Sequence, residues 1–377
     1  MDPAAALPLL LRQRGMAAPR AGAGAPRLRG RCGDVPPPGG AAPGAFPVGR
    51  PIARARLGSR PRRAAIGNEE TMTPEIAQDP PSKSIASIGM GRIVDRSETA
   101  AEAGLPCVVE FRNVSKTYNA GRRNAFTAIE NINFRVRDLP GHGELVCVLG
   151  PSGCGKSTIL RLIAGLPPQH PPTTGEVLVG GAPVLRPGAD RGMVFQDYTS
   201  FDHRTVLENI TFGLECMGVD RRRRRELGYE WIEHVGLDPK HDALKYPHEL
   251  SGGMRQRVAI ARSLILRPRI ILMDEPFGAL DPQTRMNMQD LLLSLWRESE
   301  ATIFFVTHSI EEAVFLADRI YIMSKAPGTI LRELWVEPSD RPARQMQGDP
   351  RFLETVNYVR NLITQLELEG RIAEGTT

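Results

Sequence analysis

Apolar positions along this chain fall into three patterns. "CVVEFRNVSKTY" (107–118) and "FTAIENINFRVRD" (126–138) alternate apolar and polar residues, the period of strands with one face in water. "ELVCVLG" (144–150), "RIILMD" (269–274) and "TIFFVTH" (302–308) are short unbroken apolar runs, which predict strands buried on both faces of a parallel sheet. "RIYIMS" (319–324) and "GTILREL" (328–334) predict two more strands. Between 205 and 266 the period lengthens to that of a helix. "TVLE", Thr205–Glu208, has the form of a capping box, and "RRRRRELGYEWIEHVGL" (221–237) is expected to continue that helix, with Leu227, Trp231 and Val235 on one face. Asp281 with Pro282 after it, and "SIEE" at Ser309–Glu312, predict two further helix starts. A last amphipathic helix is expected over 349–368, with Phe352, Val356, Val359, Ile363 and Leu366 along one side. Strands alternating with helices, interrupted by one helical block, predict an α/β core with an antiparallel β subdomain and an inserted α-helical subdomain at about 200–268. There is no internal repeat.

Composition changes the picture at the N-terminus. Of the 377 residues, 1–68 hold twelve Arg, no Lys and only Asp2 and Asp34, so this segment carries about +10 of a net +5 and the remainder is mildly acidic. Its Ala/Gly/Pro/Arg content has no sustained period and too little apolar surface to offset ordering entropy. Residues 1–105 are therefore expected to be a disordered extension, with order beginning near Cys107. A basic arm and a transit peptide are the functional alternatives; the favoured reading is an extension of no function, with Met72 or Met90 as another start. The acidic body argues against nucleic acid as a partner. No apolar run reaches the ~18 residues of a membrane span, and "ALPLLL" lacks the basic flank and cleavage site of a secretory signal. The five cysteines form no C-x-x-C pair, which predicts neither a disulfide framework nor a zinc site, and suits a reducing compartment.

The chemistry sits in "GPSGCGKST", residues 150–158. Gly150-x-x-x-x-Gly155-Lys156-Ser157 is the P-loop pattern, with a buried strand before it and an apolar-periodic helix after it. Gly150, Pro151, Ser152, Gly153, Cys154 and Gly155 would curl so that backbone N–H groups converge on phosphate oxygens, and the helix N-terminus adds partial positive charge. Lys156 would reach the β- and γ-phosphates, Ser157 would ligate Mg²⁺, and Thr158 completes the loop. "IILMDEP" presents Asp274 as a second Mg²⁺ ligand and Glu275 as a general base or water-positioner at the end of a buried strand. The positive potential of the loop is also expected to favour a Cys154 thiolate, exposed to thiol reagents and protected by MgATP; the alternative is a side chain that points into the core behind the loop.

"LSGGMRQRVAIARSLI" (250–265), with the P-loop and "LMDEPFGALD" (272–281), resembles the ATP-binding-cassette (ABC) ATPases over about residues 107–335. The resemblance implies a P-loop NTPase fold over 106–340, followed by a tail, 341–377. It implies that Ser251, Gly252 and Gly253 close on the ATP held by a second copy. Tyr118 in "VSKTYN" matches the aromatic that stacks on adenine, and Gln196 in "MVFQD" the residue joining Mg²⁺ and attacking water to the helical subdomain. Asp281 matches the aspartate that crosses the dimer interface, and His308 the histidine that contacts the γ-phosphate. Glu275, His308 and Gln196 would be the catalytic residues; Ser157, Gln196 and Asp274 would hold the metal.

"YPHELSGGMRQRVAIARSL" and "HSIEEAVFLADRIYIMSKAPGTI" are similar to the nitrate/sulfonate/taurine-type importer ATPases. That likeness implies a homodimer bound to two membrane permease subunits at the inner face of the cell membrane, served indirectly by an extracytoplasmic solute-binding protein. Two features depart from it. Asp202, His203 and Arg204 stand where the subgroup has a Pro-Trp pair, in the region that meets the permease, and "GLPPQHPPTTGEV" (165–177) is long. The runner-up is a soluble ABC ATPase acting on nucleic acid or protein assemblies. Such relatives carry two cassettes or a long coiled coil, and this chain has one P-loop and no sustained heptads. The Arg221–Arg225 run fits a solvated helix face beside Glu226 and Glu230 better than an RNA or membrane patch.

Overall fold

The computed structural model describes residues 91–94, 104–141, 143–197 and 199–374. The Arg-rich segment expected to be disordered lies outside the described residues up to residue 90.

The unbroken apolar runs form the middle of a mixed sheet. Its strands are β1 (Ile93–Val94), β4 (Leu145–Leu149), β7 (Arg191–Val194), β8 (Ile270–Asp274), β9 (Thr302–Thr307), β10 (Arg319–Met323) and β11 (Ile330–Val336), in the order β1-β11-β10-β4-β9-β8-β7. β10, β4, β9, β8 and β7 run parallel; β11 pairs antiparallel with β10, and β1 antiparallel with β11. The runs lack alternation because both faces are covered. Leu145, Cys147 and Leu149 of β4, with Ile303 and Phe305 of β9, join one buried cluster. Val146, Val148, Phe304 and Val306, from the same strands, join another. Burial on both faces makes each such strand roughly twice as costly to polarise as a one-sided strand, since any substituted position loses ~1.5–3 kcal/mol of side-chain burial.

The alternating segments form the predicted antiparallel sheet. β2 (Cys107–Tyr118) pairs with β3 (Phe126–Arg137) and β5 (Thr174–Val179), and β5 with β6 (Ala182–Pro183). Its inner face carries Phe111 stacked on Phe134, with ring centroids 4.5 Å apart, and Phe134 reaches Tyr321 and Phe304 of the larger sheet. Helix α1 (Lys156–Ala164) is packed into the same cluster through Ile159, Leu160, Leu162 and Ile163. The P-loop helix is therefore clamped between two sheets.

The helical block is two helices where the sequence suggested one. α2 (Val206–Cys216) opens on the expected capping box, with Thr205 and Glu208 satisfying each other's backbone. The chain then turns, and α3 (Arg221–His234) begins afresh with Asp220 accepting from the N–H groups of Arg222 and Arg223. Asp220 precedes the arginine run, so an N-cap, and not a continuous helix, is the local signal. Trp231, Ile232 and Val235 bury against Leu207, Ile210 and Leu214 and against α4 (Gly252–Leu264). The exposed arginines pair within the helix, Arg222 and Arg223 with Glu226. α5 (Pro282–Arg297) starts as predicted, with Asp281 accepting from Thr284 N–H. α6 (Ile310–Leu316) starts on Ser309, but only half of the expected box forms: Ser309 Oγ accepts from Glu312 N–H, while the Glu312 carboxylate turns inward to Thr307.

Order begins earlier than Cys107. Ile93 and Val94 pair with Val336 and Trp335. Beside them Arg92, 4% exposed, sends its guanidinium to the carbonyls of Val314 and Glu337 and to Ser339 Oγ, and its N–H to Thr355 Oγ1. Thr355 lies on α8 (Pro350–Glu374), the predicted amphipathic helix extended at its end, which follows the short α7 (Ala343–Met346). Phe352, Val356, Val359 and Leu366 are buried as expected. Residues 91–94 thus tie the last helix to the sheet edge. Truncation to start at residue 95 should melt roughly 5–10 °C below truncation to start at residue 91. The difference is a net loss of about 2.5 kcal/mol, the scale of one buried charge-assisted hydrogen bond once the desolvation of Arg92 is set against its other bonds, at roughly 2–4 °C per kcal/mol. Equal melting temperatures by calorimetry would remove this role from Arg92.

Candidate functional site

The parallel register brings the motif residues to one edge. Leu149 pairs with Thr307, and Val306 with Asp274, so β4, β9 and β8 end side by side. Polar residues that follow those ends, the P-loop, His308 and Glu275, must share the crevice beyond them, where open α/β sheets bind ligands.

Gly155 shows why the P-loop needs glycine. Its φ is +97°, and a Cβ there would lie 2.4 Å from Ile129 Cγ2 and 2.8 Å from the Ala128 carbonyl. Only glycine lets the loop press against β3 and still begin α1. At Gly153, φ +80°, a Cβ would meet nothing within 4 Å, so this turn fronts open space. Lys156, 4% exposed, donates from Nζ to the carbonyls of Gly150 and Pro151 at 2.9 Å each, and lies 3.8 Å from Glu275 Oε1. The ammonium is thereby folded back over its own loop.

Ser157 Oγ donates to Asp274 Oδ1 at 2.7 Å. Asp274 is 3% exposed, and its other oxygen stands 4.0 Å from the Arg161 guanidinium. Burial raises its pKa against the pull of Ser157 and Arg161. A buried carboxylate beside a hydroxyl is the hard oxygen donor set that suits Mg²⁺. Glu275 follows at φ +44°, a left-handed backbone rarely taken by a side-chain-bearing residue and costing of order 1–3 kcal/mol. Its Oε2 lies 3.2 Å from His308 Nδ1. Tyr118 stands at the end of β2 with its hydroxyl 3.2 Å from Thr158 Oγ1 and the Lys116 ammonium 5.6 Å from its ring centroid. Gln196 is exposed two residues past β7, the strand beside β8.

The glycine pair at the start of α4 stands elsewhere. Ser251 caps α4, accepting from Met254 N–H at 3.3 Å, and is exposed. A Cβ at Gly253 would lie 2.9 Å from Thr284 Cγ2, and one at Gly252 4.0 Å from Leu280 Cδ2. These residues front the start of α5, and no hydrogen bond joins them to the P-loop among the described residues.

Comparison with known proteins decides the family. Residues 129–278 match the model of the ABC transporter family. An uncharacterised ABC transporter ATP-binding protein of Methanocaldococcus jannaschii is 47% identical over 261 residues, 69% of this chain and 92% of that one. The chain belongs to the ABC transporter family. Other relatives of this cassette are the nitrate import ATP-binding protein NrtD of Synechocystis, 43% identical over 69% of this chain and 97% of its own, and the taurine import ATP-binding protein TauB of Burkholderia pseudomallei, 46% identical over 64% and 92%. Among solved structures, a dimeric, post-hydrolysis cassette bound to ADP and Pi superposes with a TM-score of 0.52 at 34% identity, covering 61% of this chain and 99% of that one. The cassette is an ATPase, with the P-loop NTPase fold that its motifs implied.

Two residues of this cassette escaped the sequence reading. Gln256, fully buried on α4, donates from Nε2 to the Pro276 carbonyl at 2.7 Å. It fastens the helix that starts at Ser251 to the bend holding Glu275. Glu312 is the other, read only as a helix cap. Both sit inside helical motifs, where spacing shows the face a residue occupies but not the distant backbone it touches. A cavity of about 700 Å³ lined by Arg112, Arg135, Arg319 and Trp335 lies away from this edge. Arg112 and Arg135 pair with Glu110 there, and Arg319 with Glu144 and Glu333.

The expected Cys154 thiolate is corrected by the structure. Cys154 is 1% exposed, packed in the core behind the loop, and burial raises its pKa more than Lys156 lowers it. The loop turns this side chain inward. An alkylating reagent applied to the native protein should therefore label exposed Cys216 while sparing Cys154 and buried Cys147. Peptide mapping that finds Cys154 labelled as fast as Cys216 would restore the exposed thiolate.

Proposed function

We propose that this ATPase is the motor subunit of an importer for a small anion of the nitrate, sulfonate or taurine kind. Two copies would sandwich two ATP molecules, with 106–340 as the motor domain. The observation that carries the sandwich is the division of the site. Lys156, Ser157, Asp274, Glu275 and His308 converge at one edge of the sheet, while Ser251, Gly252 and Gly253 face away beside α5. The dimeric cassette with ADP and Pi supports this arrangement, and the relatives named for nitrate and taurine import support the solute class.

In this reading the P-loop N–H groups and the N-terminus of α1 bind the phosphates, and Lys156 leaves the carbonyls of Gly150 and Pro151 for the β- and γ-phosphates. Tyr118 turns from Thr158 to stack on adenine. Ser157 and Asp274, with Gln196, would hold Mg²⁺, which when bound neutralises phosphate charge. Glu275 accepts the proton of the attacking water, and His308 holds the Glu275 carboxylate and meets the γ-phosphate. The partner's copy of the Ser251 segment offers hydroxyl and N–H groups to the same phosphate. Closure would draw the two helical subdomains, about 200–268, together against two permease subunits at the inner face of the membrane, with a solute-binding protein outside. No helix among the described residues is long and apolar enough to cross a membrane, so the path for solute belongs to those partners.

Glu275→Gln tests the reading. It keeps the phosphate ligands and removes the base, so ATP should still bind while hydrolysis falls ~10²–10⁴-fold. Light scattering should show this variant dimerising on addition of ATP, and Ser251→Arg added to it should abolish the dimer. Hydrolysis within twofold of wild type would strip Glu275 of its role. A dimer indifferent to Ser251→Arg would end the sandwich.

A further inference from the structure

Behind His308 lies a buried carboxylate that the reaction as described does not use. Glu312, on the first turn of α6, is 6% exposed. Thr307 Oγ1 donates to its Oε2 at 2.6 Å, and the same Thr307 oxygen accepts from Ser309 N–H at 3.0 Å. The two residues flanking His308 are thus locked together, and the lock is anchored on Glu312. On its other side, Glu312 Oε1 stands 3.6 Å from Arg285 Nε of α5, and Arg285 Nη2 donates at 3.1 Å to the carbonyl of Leu280, the residue before Asp281. Burial raises the Glu312 pKa, opposed by Thr307 and Arg285. A carboxylate in so dry a place is costly to keep unless its partners hold it charged.

One connected set of contacts therefore runs from the Leu280–Asp281 loop, through Arg285 and Glu312, to the backbone on both sides of His308. We propose that Glu312 is a positioning residue for hydrolysis: it holds His308 against Glu275 and makes that placement depend on the Leu280–Asp281 loop. The proposal rests on the hydrolytic roles given above to Glu275 and His308. Its physical basis is geometric. His308 is more than half exposed and makes its Glu275 contact from a loop. An exposed imidazole gains a fixed position only from its own backbone, and the Thr307–Ser309 lock supplies it. Misplacement by about an ångström of a group at the reacting centre can cost on the order of 10²-fold in rate. Movement of the Leu280–Asp281 loop, as when a second copy presses on Asp281, would reach His308 through these contacts without passing through the nucleotide.

The test uses the purified full chain and measures equilibrium binding of a fluorescent ATP analogue, kcat and melting temperature. Glu312→Gln keeps an oxygen for Thr307 but loses the charge that faces Arg285. Thr307→Val removes the lock, and Thr307→Ser retains it. Glu312→Gln and Thr307→Val should each lower kcat at least tenfold with nucleotide affinity within threefold of wild type, and Thr307→Ser should recover most of the rate. Arg285→Met carries the same test from the partly exposed side if Glu312→Gln fails to fold, with the same expected split between kcat and affinity. The proposal is overturned if these variants hydrolyse ATP within twofold of wild type, if kcat and affinity fall together in step with melting temperature, or if Thr307→Ser is as slow as Thr307→Val. Glu275→Gln run in parallel separates the two readings. Hydrolysis that survives in Glu275→Gln overturns the site itself, whereas a dead Glu275→Gln beside fully active Glu312→Gln and Thr307→Val overturns only the positioning role.

Discussion

The parallel ladder joining β4, β9 and β8 fixes where every reacting group can stand. With Leu149 opposite Thr307 and Val306 opposite Asp274, the three strands stop within a residue of one another. Buried on both faces, they cannot slip by one residue without turning core side chains toward the wrong cluster. The polar residues that follow are therefore held at one edge by apolar packing beneath them. The P-loop adds its own constraint, since Gly155 touches Ile129 and Ala128 of the second sheet and couples the phosphate cradle to both layers.

Strain is concentrated at the residue whose geometry matters most. Glu275 holds a left-handed backbone, and its neighbours keep it there. Glu275 N–H donates to the Val306 carbonyl, Gly278 N–H donates to the Glu275 carbonyl, and Gln256 holds the carbonyl of Pro276. The last of these comes from α4, whose first residue is capped by Ser251. A movement of the helical block thus bears directly on the carboxylate that meets His308.

What the sequence disclosed was local chemistry in a known order. The P-loop, Asp274–Glu275 and Ser251–Gly253 declare themselves because each needs particular residue types at adjacent positions. The doubly buried strands were legible from unbroken apolar runs, and α8 from its period. Pairings between distant segments were not. β1 is a two-residue strand whose partner lies more than two hundred residues away, and Arg92 before it looks like any surface arginine. The break between α2 and α3 was written in Asp220, but the long arginine run that follows reads as helix and masks it. Cys154 shows that potential without direction misleads: its side chain is packed into the core behind the loop. Gln256 and Glu312 were hidden for a related reason. Helical period assigns a residue to the buried face, and only the fold shows which loop waits there.

In the proposed sandwich, direction also decides what each copy can supply. Ser251 Oγ accepts from Met254 N–H, which leaves its O–H to donate elsewhere, and the glycines after it front Leu280 and Thr284. α4 is fixed in that direction by Gln256 at the Pro276 carbonyl and by Val258 and Ile260 in the core, so it cannot swing back to its own P-loop without unmaking them. Lys156, meanwhile, faces carbonyls of its own loop, and the only acidic side chain near its ammonium among the described contacts is Glu275 at 3.8 Å. In the proposed reading, a phosphate that recruits Lys156 frees Glu275 to face water, while the Ser251 segment of the same chain makes no hydrogen bond to the P-loop among the described residues. Donors of the required kind, a hydroxyl and backbone N–H groups at a helix start, exist on this same molecule in a place it cannot use for itself. In the proposed dimer, a second copy turned to face the first would meet that need in both directions at once.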